Sequence, residues 1–168
     1  TQASWVAYEF QTMLTLHQAG ADVPVPVRNS EHAILMEYFG EVSRAAPTLH
    51  LVALSAAEAR PLFERLIHNV ELMLAHHVIH GDLSAYNVLY WEGQIKIIDF
   101  PQIVDPRSNP YARQIFYRDV ERVCDYFARY GIRSHPRGLA RELWEGYQQK
   151  NQPERLMADA LDLGINEK

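Results

Sequence analysis

With 168 residues, 48% of them hydrophobic, the chain can bury one ordinary core, and nothing in its length calls for two full domains. A net charge of −5 and a pI near 5.9 provide no basic stripe for a phosphate backbone, so nucleic acid is not an expected direct ligand. No apolar run has the length of a membrane span and no secretory segment is visible. The single cysteine, Cys124, sits among Val120, Val123 and Phe127 and reads as a buried thiol in a reducing, cytoplasmic compartment.

In chain order, Val6, Phe10, Met13, Leu14 and Leu16 recur at helical spacing, which predicts a helix over Trp5 to Leu16 that Gly20 ends. The prolines of Val23-Pro24-Val25-Pro26-Val27 bar a helix there. They lead to a predicted strand, Ala33 to Tyr38, across a turn at Asn29-Ser30-Glu31. Ser55 and Glu58 have capping-box spacing, followed by a helical stripe from Leu62 to Leu74. Pro61 predicts a short first piece and a second helix starting there.

Val88 to Trp91 and Gln94 to Ile98, separated by Glu92-Gly93, predict a tight hairpin. Helical spacing returns from Phe116 to Tyr130 with Gly131 as its cap, and two further helices are expected over Leu139 to Gln149 and Arg155 to Leu163.

The chemistry concentrates in His80-Gly81-Asp82-Leu83-Ser84-Ala85-Tyr86-Asn87 and in Ile97-Ile98-Asp99-Phe100 beyond the hairpin. Phosphoryl transfer from ATP needs metal ions on the phosphate oxygens and a group that orients the attacking hydroxyl or water. Asp82 suits the orienting role, and Asn87 and Asp99 offer hard oxygen ligands for Mg²⁺ or Mn²⁺. A hairpin between the two segments can return Asp99 to the loop carrying Asp82 and Asn87. The spacing of His76, His77 and His80 matches no usual zinc ligand set.

These residues resemble the atypical serine/threonine protein kinases of the RIO family. The loop Asp82-Leu83-Ser84-Ala85-Tyr86-Asn87 is similar to their D-L-S-x-Y-N loop, and Asp99-Phe100-Pro101-Gln102 to their D-x-x-Q metal-binding segment. Leu35 to Glu41 and Tyr117-Arg118-Asp119-Val120 fit the same family, over about Trp5 to Gly131. The resemblance implies an α+β, protein-kinase-like fold, with a truncated small lobe in residues 1–40 (one helix, about two strands and a hinge) and a mainly helical lobe carrying the catalytic hairpin in residues 41–168. It implies that Asp82 and Asp99 are catalytic, with Asp99 also a site of autophosphorylation. Asn87 and Asp99 would hold the metal. Met36 would be the gatekeeper, the backbone of Glu37 and Phe39 would pair with adenine, and Glu9 would pair with an ATP-holding lysine. Asp119 would brace the catalytic loop from below; without the resemblance, a surface ion pair with Arg118 or Arg122 is the plain alternative.

No glycine-rich phosphate loop occurs, and the lysines, Lys96, Lys150 and Lys168, all follow Glu9. The chain begins at Thr1 rather than Met, as a fragment would, and the lysine partner is expected upstream. Ser84 stands where many protein kinases carry a lysine that steadies the transferring phosphate, and the interval after Asp99 leaves little platform for a peptide substrate. The expected activity is therefore that of a slow, switch-like ATPase or kinase, weak in this chain. Alternatives are a small-molecule phosphotransferase of the aminoglycoside or choline type and a non-catalytic module docking on a ribosomal or other protein partner. The unpaired edge of the first two strands is expected to admit a second copy of the chain.

Overall fold

The order of elements is set by where apolar stripes meet turn residues. The computed structural model describes the backbone of residues 2–163 and the side chains of residues 4–151. Helix α1 spans Gln2–Gln18 and ends at Gly20, whose φ of 91° glycine adopts without a Cβ penalty. Ala21 N–H then returns to the Leu16 carbonyl at 2.9 Å.

Strands β1 (Pro26–Asn29) and β2 (Ile34–Met36) form an antiparallel pair in which Arg28 faces Leu35. Val27 and Leu35 are 62% and 61% exposed, so this pair buries little of its apolar surface. A minimal pair that the sequence did not suggest follows, β3 (Gly40–Glu41) and β4 (Arg44–Ala45), and then a 3₁₀ turn at Leu49–Leu51.

Helix α2 (Ala56–Ala75) carries the expected reciprocal cap, with Ser55 Oγ accepting from Glu58 N–H and Glu58 from Ser55 N–H. It is one helix, not two. Pro61 forfeits one ladder bond to the Ala57 carbonyl, but both residues are exposed, so water can satisfy that oxygen and the apolar stripe carries the helix through.

The hairpin forms as expected from β5 (Val88–Trp91) and β6 (Gln94–Ile97), with Val88 opposite Ile97 and Trp91 opposite Gln94. Glu92 and Gly93 have φ of 46° and 78°, the doubly left-handed turn that matches strand twist. Helix α3 (Ala112–Ala128) and helix α4 (Pro136–Leu163) complete the fold. The two helices expected at the end are also one: Pro153 removes a single N–H from a helical backbone that otherwise continues.

Leu62, Leu66, Val70 and Met73 of α2 share one core with Phe116, Val120, Val123 and Phe127 of α3 and with Ala140 and Trp144 of α4. Cys124 is buried there. Among the described residues no helix is long and apolar enough to cross a membrane.

A polar knot centred on the buried Asn69 attaches α1 and the hairpin to this helical core. Asn69 of α2 accepts from Asp22 N–H at 2.6 Å and donates to the Asp22 carboxylate and the Arg65 carbonyl at 2.7 and 2.9 Å. Arg65 grips the same carboxylate through two bonds, and Ile97 N–H donates to the Asp22 carbonyl at 2.7 Å. Because Asn69 is buried, replacing it leaves the Asp22 amide unpaired. Asn69→Leu is expected to lower unfolding stability by about 2 kcal/mol in urea titration, and an unchanged midpoint would show that the knot contributes nothing.

Candidate active site

The loop between α2 and β5 is shaped by contacts on both sides of Gly81. Gly81 has φ of 85°, and a Cβ there would collide with the backbone of Gln102, so only glycine lets the segment after Asp99 lie against the loop. That segment is fastened by paired hydrogen bonds between Ile79 and Val104, both 2.9 Å. From beneath, Asp119 of α3 accepts from Gly81 N–H at 2.8 Å, while Arg118 donates to the Gly81 carbonyl.

His80 joins the two segments. Its Nε2 donates to the Ile98 carbonyl at 3.0 Å and its Nδ1 accepts from Asp82 N–H at 3.3 Å, which fixes a neutral tautomer. Burial holds its pKa below the ordinary histidine value, against the opposing pull of the Ile98 carbonyl, Asp99 and Asp82. The ring lies 4.9 Å from that of Phe100. Of the other two histidines, His77 bonds the Tyr147 hydroxyl at 2.8 Å and His76 is exposed at the end of α2.

Asn87 closes the circuit. Its carbonyl accepts from Ile98 N–H at 2.9 Å, extending the hairpin register by one pair, and its Nδ2 donates to the Asp82 carbonyl at 2.9 Å. Its Nδ2 also lies 3.5 Å from Asp82 Oδ2, so the amide oxygen is left without a hydrogen-bond partner among the described residues. Asp99 follows Ile98 with φ of 68°, an uncommon conformation for a residue with a side chain, and is exposed. Asp82, Asn87 and Asp99 are thus brought to one end of the hairpin.

Glu9 reaches the same place from α1, accepting from Phe100 N–H at 3.3 Å. Burial raises its pKa, the Phe100 amide opposes this, and the neighbouring Asp99 charge adds to the rise. Met36, Glu37 and Phe39 make no hydrogen bond to this cluster. Glu37 N–H donates to the Val25 carbonyl at 2.8 Å and the Phe39 carbonyl accepts from Ala46 at 2.9 Å. The Glu37 carbonyl and Phe39 N–H have no main-chain partner among the described residues. Lys96 of β6 links this segment to the hairpin, lying 3.3 Å from the Glu37 carboxylate and 5.9 Å from the centre of the Phe39 ring. Desolvation works to raise the pKa of Glu37, but the Val25 amide and Lys96 bring it below the ordinary value.

For a divalent cation the available donors would be the Asn87 amide oxygen and the exposed Asp99 carboxylate, hard oxygens of the kind Mg²⁺ and Mn²⁺ accept. Among the described residues no group of three or more histidine, cysteine or carboxylate ligands could hold a metal by itself. A two-donor site fits an ion that completes its shell with phosphate oxygens and water.

Two arginines matter more than sequence reasoning suggested. Arg122 does not pair with Asp119; its Nη1 lies 2.6 Å from Asp82 Oδ1. Arg118 lies 3.9 Å from Asp119 Oδ1, an oxygen with no hydrogen-bond partner. Spacing held no signal for either choice, because Arg118 and Arg122 flank Asp119 on the same helix and the loop's position decides which carboxylate each meets.

An α+β chain that gathers these side chains at one hairpin end has the architecture of a protein-kinase-type fold, and the sequence comparisons agree. The family model described as the RIO domain matches residues 1–138, and the chain belongs to that family. RIO-type serine/threonine-protein kinase Rio1 of Thermoplasma acidophilum is 30% identical over 132 residues, covering 79% of this chain and 68% of that protein. Serine/threonine-protein kinase RIO1 of Homo sapiens is 31% identical over 130 residues, 77% of this chain and 23% of the relative. The protein of the same name from Chaetomium thermophilum is 33% identical over 138 residues, 76% of this chain and 26% of its own length. The chain therefore spans about a quarter of the human and fungal relatives and about two thirds of the archaeal one.

Asp119 gives this cluster a pH signature. At 2% exposure, burial pushes its pKa up to about 6 from 3.8, opposed by the Gly81 amide and Arg118. The folded state therefore holds the proton more tightly than the unfolded chain. Its stabilising contribution is complete below 3.8 and lost as pH rises through about 6. Two pH units at about 1.4 kcal/mol each give about 3 kcal/mol. The stability of the wild type relative to Asp119→Asn is expected to fall by roughly that amount between pH 4 and 7 in urea titrations; a difference independent of pH would contradict the assignment.

Proposed function

We propose that the protein is an ATP- and Mg²⁺- or Mn²⁺-dependent phosphotransferase that moves the γ-phosphoryl group of ATP to a serine or threonine hydroxyl, to water, or to its own Asp99. The observation that carries the reading is the hydrogen-bonded bridge from Asn87 to Ile98, one residue before Asp99, beside a loop whose Asp82 amide is held by His80. Membership of the RIO domain family supports it.

In this reading Asp82 accepts the proton of the attacking hydroxyl or orients it, and Asp119 and His80 keep the loop's backbone in place while it does so. Asn87 and Asp99 would hold the cation, which when bound supplies positive charge on the phosphate oxygens. Met36 would line the adenine side of the nucleotide, with the Glu37 carbonyl and Phe39 N–H as its backbone partners. Glu9 would pair with a lysine that holds the ATP phosphates. Residues 1–40 would form part of a small lobe and residues 41–168 the larger one. The exposed β1–β2 pair would give a second copy an edge, and light scattering would then report a dimer.

Nucleotide binding tests the reading before turnover does. Saturating ATP with Mg²⁺ is expected to stabilise the protein by about 2.7 kcal/mol at a hundredfold excess over Kd, and Asp99→Asn should abolish the Mg²⁺-dependent part of the thermal shift. Asp82→Asn should bind normally and lose at least about 10²-fold in turnover. A midpoint indifferent to ATP and Mg²⁺ would favour a docking module instead, and rapid transfer to small alcohols or aminoglycosides would favour the small-molecule class.

A further inference from the structure

Phosphoryl transfer spreads negative charge over the oxygens of the transferring group, and the residue that must approach it, Asp82, is itself an anion. Its own loop offers no compensation, since His80 to Asn87 contains neither lysine nor arginine and the one histidine is neutral and buried. The Ser84 side chain is engaged within the loop, accepting from Tyr86 N–H at 3.3 Å.

A cation nevertheless arrives from below. Arg122 projects from α3 and places Nη1 2.6 Å from Asp82 Oδ1. It spends one donor there; the rest of the guanidinium fork has no hydrogen-bond partner among the described residues, and the side chain is 40% exposed. Arg122 lines a cleft of about 700 Å³ together with Asp82, Ser84, Tyr86 and Asn87, so the guanidinium stands on the same open face as the Asp82 carboxylate. Two further arginines stand nearby: Arg118 is committed to the Gly81 carbonyl and faces Asp119, and Arg129, which lines the same cleft, donates to the Tyr126 carbonyl at 3.4 Å and lies over the Tyr126 ring.

We propose, on the basis of the phosphotransferase reading, that Arg122 is a catalytic residue. One arm of the guanidinium fixes Asp82 Oδ1, leaving Oδ2 for the acceptor hydroxyl. The other donates to an oxygen of the transferring phosphoryl group and neutralises charge that nothing in the loop offsets. The group transferred is the γ-phosphoryl of ATP. The acceptor oxygen forms the new P–O bond, the bond to ADP breaks, the acceptor proton passes to Asp82, and Arg122 keeps all its protons.

Steady-state phosphoryl transfer by the full-length protein, with ATP and Mg²⁺, tests this in wild type, Asp82→Asn, Arg122→Gln, Arg122→Lys and the double variant Arg122→Gln with Ser84→Lys. Arg122→Gln is expected to lose about 10²-fold in kcat with KM for ATP within about threefold. Ser84→Lys, which returns a cation from the loop itself, is expected to recover at least about tenfold of that loss. Arg122→Lys, also the substitute should Arg122→Gln fold poorly, is expected to stay within about tenfold of wild type. Arg122→Gln with wild-type or higher kcat, or a loss that Ser84→Lys leaves untouched, would overturn the assignment while wild type and Asp82→Asn still differ. A wild type no faster than Asp82→Asn would overturn the phosphotransferase reading itself, and this inference with it.

Discussion

The constraint on which the rest depends is a neutral imidazole held between two chain segments. His80 donates to the Ile98 carbonyl and accepts from Asp82 N–H, so a single ring fixes the distance between the catalytic-type loop and the strand that delivers Asp99. A charged imidazole could not do both, because its second nitrogen would also be a donor. Burial keeps it neutral, and the same burial makes loss of either bond costly. Around this bridge, the Asn87 bonds to Ile98 and Asp82 and the Asp119 bond to Gly81 leave little freedom to the backbone carrying Asp82, Asn87 and Asp99.

Support for that ring is distributed through the fold. The buried apolar face of α3 seats Asp119 under the loop, and Gly81 admits the backbone of Gln102 where any side chain would exclude it. The Asn69 and Asp22 knot sets α1 beside β6, and α1 in turn brings Glu9 to Phe100. The charges at the site are divided, with the carboxylates of Glu9 and Asp99 on one side and the Asp82–Arg122 ion pair on the other.

Much of this was legible in the sequence because it is carried by local rules. The capping box of Ser55 and Glu58, the Glu92-Gly93 turn and the glycines that end α1 and α3 are short-range devices, and each formed where its residue types stand. The return of Asp99 towards Asn87 was legible from hairpin geometry, whereas the place of Asp82 depends also on His80 and Asp119. What local rules missed was tertiary. Pro61 read as a break and two helices were expected over Leu139 to Gln149 and Arg155 to Leu163, yet a helix tolerates the one ladder bond lost at a proline when its neighbours keep stacking. The β3–β4 pair is too short to leave a periodic trace. The partners of Arg118 and Arg122 depend on where a loop far away in sequence comes to rest.

The most direct test of the central claim is NMR of the protein with ATP and substoichiometric Mn²⁺, whose unpaired electrons broaden signals of nearby nuclei. The account predicts that the Asn87 side-chain amide and the backbone amides of Asp99 and Phe100 broaden together, ahead of signals elsewhere in the helical core. Broadening centred on another surface, or none beyond that given by free Mn²⁺, would contradict it.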